Sequence, residues 1–481
     1  MSQRIDASKC GSGDDTTAAT ARPRAGLIAT SGFLLALAML LSENQELSGR
    51  LAAAFALIVA VVSGVIVMRS TLLGQWSMPF LALLVMVIFH CGLFVTPALT
   101  GDLPLFLLQN RISWFSFEVL PRLAIAIAIG ISAFAFGVAI GGTGRLRAPA
   151  VAEVSFTSQG QEDLRRSIAA VGSFVVVGSI VAWALSSVAA AGGAFFLLSY
   201  ERYLELTKGL PIGLAYMGIS LGVPMIAQFV RSKVAAVGLI AFMIFAALGF
   251  PLGLRGEVLV PLVAGTGIYM KYSRVRPRWL LLVVSIVVLL GVAIVRQVRS
   301  LGVGSLGGST EVAVNLLDGI EEMGSTARVV ALSLTWHEQL GESHGLGETY
   351  LAPLLRYWNT IAGQENVLAE TDMRLFNVLV GQRAGQVGGS VIGEAHHNFG
   401  IIGIVVMLFA WGLLLARLDA SDHRPMGLGA LGLVSVLFLA HVRDASTHLP
   451  IWLTVGTALL ALSRGIVGLQ RNIKVRTGHV I

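Results

Sequence analysis

The sequence is poor in charged residues and in cysteine. Only 13% of its 481 residues are Asp, Glu, Lys or Arg, whereas a soluble globular domain carries roughly a quarter. Its two cysteines are Cys10, in a polar N-terminal tail, and Cys91, within an apolar run. They are expected in different environments, so a disulfide between them is not expected. These scarcities exclude an ordinary soluble domain and a disulfide-stabilised scaffold.

Signatures of nucleotide and metal binding are also missing. The chain contains no Walker A loop, no dinucleotide fingerprint and no Asp-x-Asp motif of the kind that metal-dependent sugar transferases use. Its histidines show no His-Glu-x-x-His spacing, so we expect no metal site and no cofactor. The net charge of +7 lies in short loops between apolar runs, where it sets membrane topology. Nucleic-acid binding is therefore not expected.

Long apolar runs, in contrast, are abundant. The chain is 55% hydrophobic, and each run is long enough to cross a hydrocarbon core of about 30 Å as a helix. The pattern predicts an all-α polytopic membrane protein with about 12 (11–13) transmembrane helices. The predicted spans are 27–41, 51–68, 78–99, 119–141, 168–190, 211–230, 234–250, 255–270, 279–295, 399–416, 427–440 and 449–467. The pair 234–250 and 255–270 could instead form one broken re-entrant element.

The basic residues predict how the chain is oriented. With twelve spans, every strongly basic loop falls on one side, which the positive-inside rule makes the cytoplasm. We therefore expect a multi-pass inner-membrane protein with both termini cytoplasmic. Its predicted regions are a disordered tail (1–25), nine spans (26–295), a large extracytoplasmic loop (296–398), three spans (399–467) and a second tail (468–481).

The large loop is too long to be a simple connector, so it should fold. Its sequence predicts two amphipathic helices, one near Glu311–Met323 and one near Ser325–Leu340, the second beginning with Ser325 as a cap.

Several arginines lie on the predicted outer side, against the positive-inside rule. Arg255, Arg296, Arg299 and Arg443 fall near outer span ends, and Arg328 lies in the large loop. Guanidinium groups bind pyrophosphate oxygens in a bidentate manner and stay charged. The set indicates an anionic lipid or a lipid-linked pyrophosphate. The alternative for each arginine is interfacial anchoring or ion pairing.

A polar cluster precedes the tenth predicted span. Glu394, His397 and Asn398 would share one helix face, and a partly desolvated carboxylate suits general-base chemistry. The alternative is a polar helix start, where Glu394 is favoured by the helix dipole. Two further polar sites are Arg443-Asp444, which could be a local ion pair, and Glu321-Glu322, which could be a solvated helix face.

The run from Gly389 to Gly400, entering an apolar span, resembles the O-antigen polysaccharide polymerase (Wzy-type) family. So do Gly253-Leu-Arg255-Gly-Glu257, Glu322-Met323-Gly324-Ser325 and Tyr350 with Pro353. The resemblance covers roughly residues 230–460 and depends on the order and placement of these motifs. The sequence departs from the family at His396 and His397, where aromatic residues, often Tyr, are expected.

The resemblance implies a GT-C-like glycosyltransferase in the bacterial inner membrane that joins polyprenyl-pyrophosphate-linked oligosaccharide repeat units outside the cytoplasm. It also implies membrane lipids, a chain-length regulator and a flippase as partners. In the resulting hypothesis, Arg255 and Arg443, helped by Arg296 or Arg299, stabilise the departing pyrophosphate. Glu394 accepts the acceptor hydroxyl's proton. The remaining candidates for substrate binding are Asn398, His397, Glu322, Arg328 and Asp444.

Two other functions remain open at this stage. A related ligase would transfer finished glycan to a lipid core. A transporter or flippase of lipid-linked oligosaccharide would carry ionisable residues deep in its spans, where this sequence has few apart from His90.

Overall fold

The structure is a computed structural model that describes residues 15–43, 47–104, 115–116, 118–142, 159–273, 276–301, 316–385, 387–421 and 424–477. All regular structure in these ranges is helical, which confirms the predicted all-α class. The helices are α1 (Asp15–Ser42), α2 (Gly49–Ser70), α3 (Met78–Cys91), α4 (Val95–Thr100), α5 (Leu120–Gly141), α6 (Gln159–Ala191), α7 (Tyr200–Thr207), α8 (Ile212–Ile226), α9 (Lys233–Leu252), α10 (Arg255–Met270), α11 (Arg278–Leu301), α12 (Leu316–Met323), α13 (Ala327–Leu334), α14 (Glu348–Ile361), α15 (Phe376–Ala384), α16 (Val391–Ala420), α17 (Pro425–Arg443) and α18 (Leu449–Thr477).

Many of these helices are long and apolar enough to cross a bilayer. In the described ranges nine meet that condition, and a tenth does if α7 and α8, bent by 111°, form one span. Each predicted span overlaps a helix, but α10 has only 16 residues and the apolar part of α11 is only Trp279–Ala293. The polytopic membrane architecture is confirmed, whereas the number of about twelve spans stays a prediction.

The segment 234–270 forms two separate helices. Gly253 adopts a left-handed conformation (φ 102°) between α9 and α10, which a side chain would strain. At the start of α10, Gly256 lies against Arg443 at the end of α17. Directly after the end of α10, Lys271 pairs with Asp419 near the end of α16. Since α10 rises about 24 Å between these points, it runs alongside α17 and does not turn back.

The large loop is helical where it is described. Residues 302–315 lie outside the described ranges, so the predicted helix near Glu311–Met323 is seen only as α12. The second predicted helix is present as a 3-10 turn (Gly324–Thr326), α13 and a π-turn (Thr335–Gln339). The predicted Ser325 cap is wrong, because the turn continues directly from α12 and no side chain caps α13.

Close helix contacts position the later part of the chain. α5 packs on α16 through glycines: a Cβ on Gly137 would overlap the carbonyl oxygen of Phe409, and one on Gly412 would overlap that of Phe134. Small residues let helix backbones approach closely in membranes, where packing drives association. This contact fixes α16, which carries the candidate site at its start.

A buried ion pair holds the opposite ends of these helices together. Lys271 Nζ lies 2.7 Å from Asp419 Oδ1, and both side chains are almost fully buried. Asp419 Oδ1 also accepts a hydrogen bond from the backbone N–H of Met78 at the start of α3. Lys271 therefore does more than orient the chain, because it joins three helices.

Replacing Asp419 with Ala should strongly destabilise the protein, because Lys271 would stay buried without its partner. The expected loss is about 3–5 kcal/mol in the free energy of unfolding, measured by denaturation of the purified protein in detergent. The matched control is Glu205→Ala, which breaks an exposed pair with Arg202 and should leave stability unchanged. Equal stability of the two variants would contradict this role for the buried pair.

Candidate active site

The helix that carries the predicted polar cluster is broken. Within α16, Phe399 (φ −141°, ψ 16°) and Gly400 (φ 62°, ψ −151°) leave helical geometry. A Cβ on Gly403 would overlap the carbonyl oxygen of Ala395, and Gly130 of α5 faces both Ile392 and Ile404. Residues eight positions apart are about 12 Å apart along a straight helix. Residues 391–398 therefore fold back against the segment that begins at 401.

Glu394 lies in the first of these two segments and is completely buried. Its Oε1 accepts hydrogen bonds from the hydroxyls of Thr349 (2.8 Å) and Ser446 (2.7 Å). Its Oε2 accepts from the backbone N–H of Ser446 (2.8 Å) and lies 3.0 Å from Nε2 of His441. Four donors match the lone pairs of an ionised carboxylate. Glu394 thereby joins α14, the end of α17 and the turn before α18.

Asn398 fastens the large loop to the break in α16. Its Nδ2 donates to Thr349 Oγ1 (2.7 Å), and its Oδ1 accepts from the N–H of Gly347 (3.0 Å). The N–H groups of Gly345 and Leu346 donate to the carbonyls of His397 and Asn398, which the break would otherwise leave without helical partners. Leu346 itself adopts a positive φ of 47°, a conformation held by these contacts.

These contacts bear on the predicted role of Glu394 as the base. A general base needs a lone pair within reach of the proton it removes, and both carboxylate oxygens already have two donors each. The carboxylate is better placed to hold its neighbours than to take a proton from a substrate. Asn398, in the same way, is buried and bonded within the protein.

The structure brings the two predicted catalytic arginines together. The Arg255 side chain is buried at the start of α10 and donates to Glu322 Oε1 (3.0 Å). The Arg443 guanidinium lies against Gly256, so closely that a Cβ there would overlap it. Its Nη1 is 3.7 Å from Glu257 Oε2. We call Arg255, Glu257, Glu322 and Arg443 the arginine cluster.

Other predicted site residues lie elsewhere. Arg328 donates to the carbonyl of Ala384 (2.7 Å), and burial lowers the pKa of its guanidinium. Asp444 accepts from the N–H of Ala445 (2.8 Å), and one of its oxygens lies 3.7 Å from His448. The side chains of Arg296 and Arg299 lie outside the described residues. Arg328 therefore joins α13 to α15 within the loop.

Four histidines form a cluster that the sequence did not predict. His337 Nε2 is 2.9 Å from His397 Nδ1, and the His337 ring stacks on that of His344 at 4.3 Å between centroids. His396 is buried and bonded to Ser333 (2.9 Å). No group of His, Cys, Asp or Glu in the described part of the chain has a metal-binding arrangement. From the sequence, only the adjacent His396 and His397 suggest a cluster, because His337 and His344 are more than fifty residues away from them.

The comparison with known families decides the classification. The family model of the O-antigen polysaccharide polymerase Wzy matches residues 27–462. The chain belongs to the Wzy family. The search of curated proteins and the search of solved structures returned no match.

Family membership makes the chain a glycosyltransferase-type polymerase of polysaccharide biosynthesis in a membrane. The family-like motifs of this Wzy polymerase also meet in space. Arg255 pairs with Glu322, Glu257 lies beside Arg443, and Tyr350 packs against His441 at 6.4 Å between ring centroids. The motifs far apart in sequence therefore build one region.

In this Wzy polymerase, Thr349→Val should loosen the start of α14, because it removes two buried hydrogen bonds at nearly constant volume. We expect a loss of about 1–3 kcal/mol and faster amide hydrogen exchange at Gly345–Tyr350. Thr371→Val, at an exposed hydroxyl of the same loop, is the control. Unchanged exchange at Gly345–Tyr350 would show that Glu394 and Asn398 do not hold this segment.

Proposed function

We propose that this chain joins polyprenyl-pyrophosphate-linked oligosaccharide repeat units at the outer face of the bacterial inner membrane. The growing chain leaves its pyrophosphate carrier and is attached to a sugar hydroxyl of the incoming unit. Membership of the Wzy family supports the general activity. The observation that carries the finer assignment is the meeting of Arg255 and Arg443 at the start of α10.

The arginine cluster suits a pyrophosphate leaving group. As the bond to the sugar breaks, negative charge develops on the pyrophosphate, and fixed cations stabilise it. Arg255 is the first residue of α10, and the Arg443 guanidinium lies against Gly256 at the same helix N-terminus, where the helix dipole also favours an anion. Two guanidinium groups can bind the oxygens of both phosphates in a bidentate manner. No metal is needed for this stabilisation.

The carboxylates of the cluster keep it neutral before substrate binds. Arg255 is held tightly by Glu322 and is only 6% exposed. Arg443 is 33% exposed and contacts Glu257 over a longer distance. A pyrophosphate can therefore displace Glu257 from Arg443 more readily than Glu322 from Arg255. We propose that Arg255 stays in place and that Arg443 engages the incoming pyrophosphate.

The profile of lipid-linked glycans in a deletion strain separates the candidate functions. Loss of a polymerase leaves lipid cores capped with single repeat units. Loss of a ligase leaves none, and loss of a flippase accumulates repeat units on the cytoplasmic face. Single-unit caps that revert to a full ladder when the gene is restored are the expected result. Either of the other two profiles would contradict the proposal.

Arg255→Gln and Arg443→Gln should each abolish the long-chain ladder, because each removes a cation from the departing pyrophosphate. The loss of one such group costs about 10²–10³-fold in turnover, measured with purified protein and lipid-linked repeat units extracted from the deletion strain. Arg202→Gln, which breaks an exposed pair with Glu205, is the control. Near-normal turnover in either cluster variant, at equal expression, would remove that arginine from the mechanism.

Gly256→Ala should impair polymerisation without unfolding the protein. The new methyl group would overlap only the far end of the Arg443 side chain, which can move, while the helical backbone accepts alanine readily. Displacing Arg443 should raise the KM for the lipid-linked donor. Gly178→Ala, at a helical glycine with open space around it, is the control. Equal KM values for both variants would show that Arg443 does not act from this position.

A further inference from the structure

In the described part of the chain, His441 has a hydrogen-bond partner at one ring nitrogen only. It lies in the last turn of α17 and is 1% exposed. Because the Glu394 carboxylate accepts hydrogen bonds from all its neighbours, His441 Nε2 at 3.0 Å carries the proton of that contact. The other nitrogen, Nδ1, then has a lone pair whenever the ring is neutral. Nδ1 is buried and has no hydrogen-bond partner among the described residues.

A second buried polar atom lies on a neighbouring ring. The Trp411 ring packs against His441 at 6.2 Å between centroids. Its Nε1–H is likewise buried without a partner in the described part of the chain. Buried polar groups are rarely left unsatisfied, and exceptions are typical of strained, catalytic, ion-binding or water-binding positions. A hydroxyl group is both donor and acceptor, so it can satisfy an imidazole lone pair and an indole N–H.

The large loop covers this position. Tyr350, at the start of α14, packs edge-on against His441. Burial and the neighbouring Glu394 raise the pKa of the Tyr350 hydroxyl, which therefore stays neutral. Thr349 beside it is bonded to Glu394. The helix that covers His441, α14, is therefore hydrogen-bonded through Thr349 to Glu394, the same carboxylate that orients the His441 ring.

We propose that His441 is the catalytic base of the polymerisation and that Glu394 is its positioning residue. This inference rests on the proposed function. His441 Nδ1 takes the proton of the acceptor sugar hydroxyl as the hydroxyl oxygen bonds to the anomeric carbon of the donor. The bond from that carbon to the pyrophosphate oxygen breaks, and its electron pair leaves with the polyprenyl pyrophosphate. The imidazolium afterwards releases its proton to solvent or to the departing pyrophosphate.

Glu394 supports this step without taking the proton. Its bond to Nε2 fixes the orientation of the ring, and its negative charge stabilises the imidazolium that forms. His441 and Arg443 lie two residues apart, or about 3 Å along the axis of α17. The proton acceptor and the pyrophosphate site are therefore at one level along α17, on different faces of the helix.

His441→Gln tests the base directly. The glutamine amide can still donate to Glu394, but it has no basic nitrogen. We expect kcat to fall by about 10²–10⁴-fold, with an unchanged KM for the lipid-linked donor and an unchanged thermal midpoint. The assay uses purified protein and repeat units extracted from the deletion strain. His448→Gln, at the exposed histidine of the same turn, should keep wild-type turnover.

Imidazole added to His441→Ala provides a second measurement, which decides the matter if the glutamine variant does not fold. Recovery of turnover with rising imidazole concentration supports the base, and no recovery contradicts it. A folded His441→Gln variant that keeps more than about a tenth of kcat also overturns it. If the wild-type protein itself makes no polymer, the proposed function fails. If wild type and His441→Gln both polymerise, only the inference about His441 fails.

Discussion

The carboxylate of Glu394 is buried at a point where four parts of the chain meet, and its charge there has to be matched by donors. A buried charge without partners costs several kcal/mol, so Thr349, Ser446 and His441 must all be in place when the chain is folded. That requirement fixes the large loop, the reversal in α16 and the end of α17 relative to one another. The candidate chemistry lies around this fixed point.

In the arginine cluster, charges are likewise matched by partners, here at the proposed site of the leaving group. Two cations and two carboxylates lie close together, so the cluster is neutral until an anion enters. Gly256 gives Arg443 the space to reach the start of α10, and Gly253 supplies the turn that places Arg255 there. The conspicuous residues of the family-like motif Gly253–Glu257 therefore each have a structural role. The end of α17 connects the two regions, because His441 contacts Glu394 on one face of the helix and Arg443 contacts Glu257 on another.

The sequence predicted the membrane helices well, because apolar length and loop charge are local properties. It also singled out Arg255, Glu322, Glu394 and Arg443, which the structure brings to one region. It did not predict how they are paired. Thr349 and Ser446 are 45 and 52 residues from Glu394, and Glu322 is 67 residues from Arg255. Such pairings depend on how the chain folds in three dimensions, which the periodicity of the sequence does not reveal. The apolar run that begins at Phe399 does not show that the chain reverses its direction there. The GT-C-like architecture stays a prediction.

The proposed polymerisation depends most on where the pyrophosphate of the donor binds. The direct measurement is an experimental structure of the protein with a polyprenyl methylene-diphosphonate carrying one repeat unit, which cannot release its sugar. We expect the diphosphonate to lie between Arg255 and Arg443, with Glu257 displaced from Arg443 and the acceptor side of the sugar toward His441. A diphosphonate bound away from both arginines, in a protein that still polymerises the natural donor, would contradict this expectation.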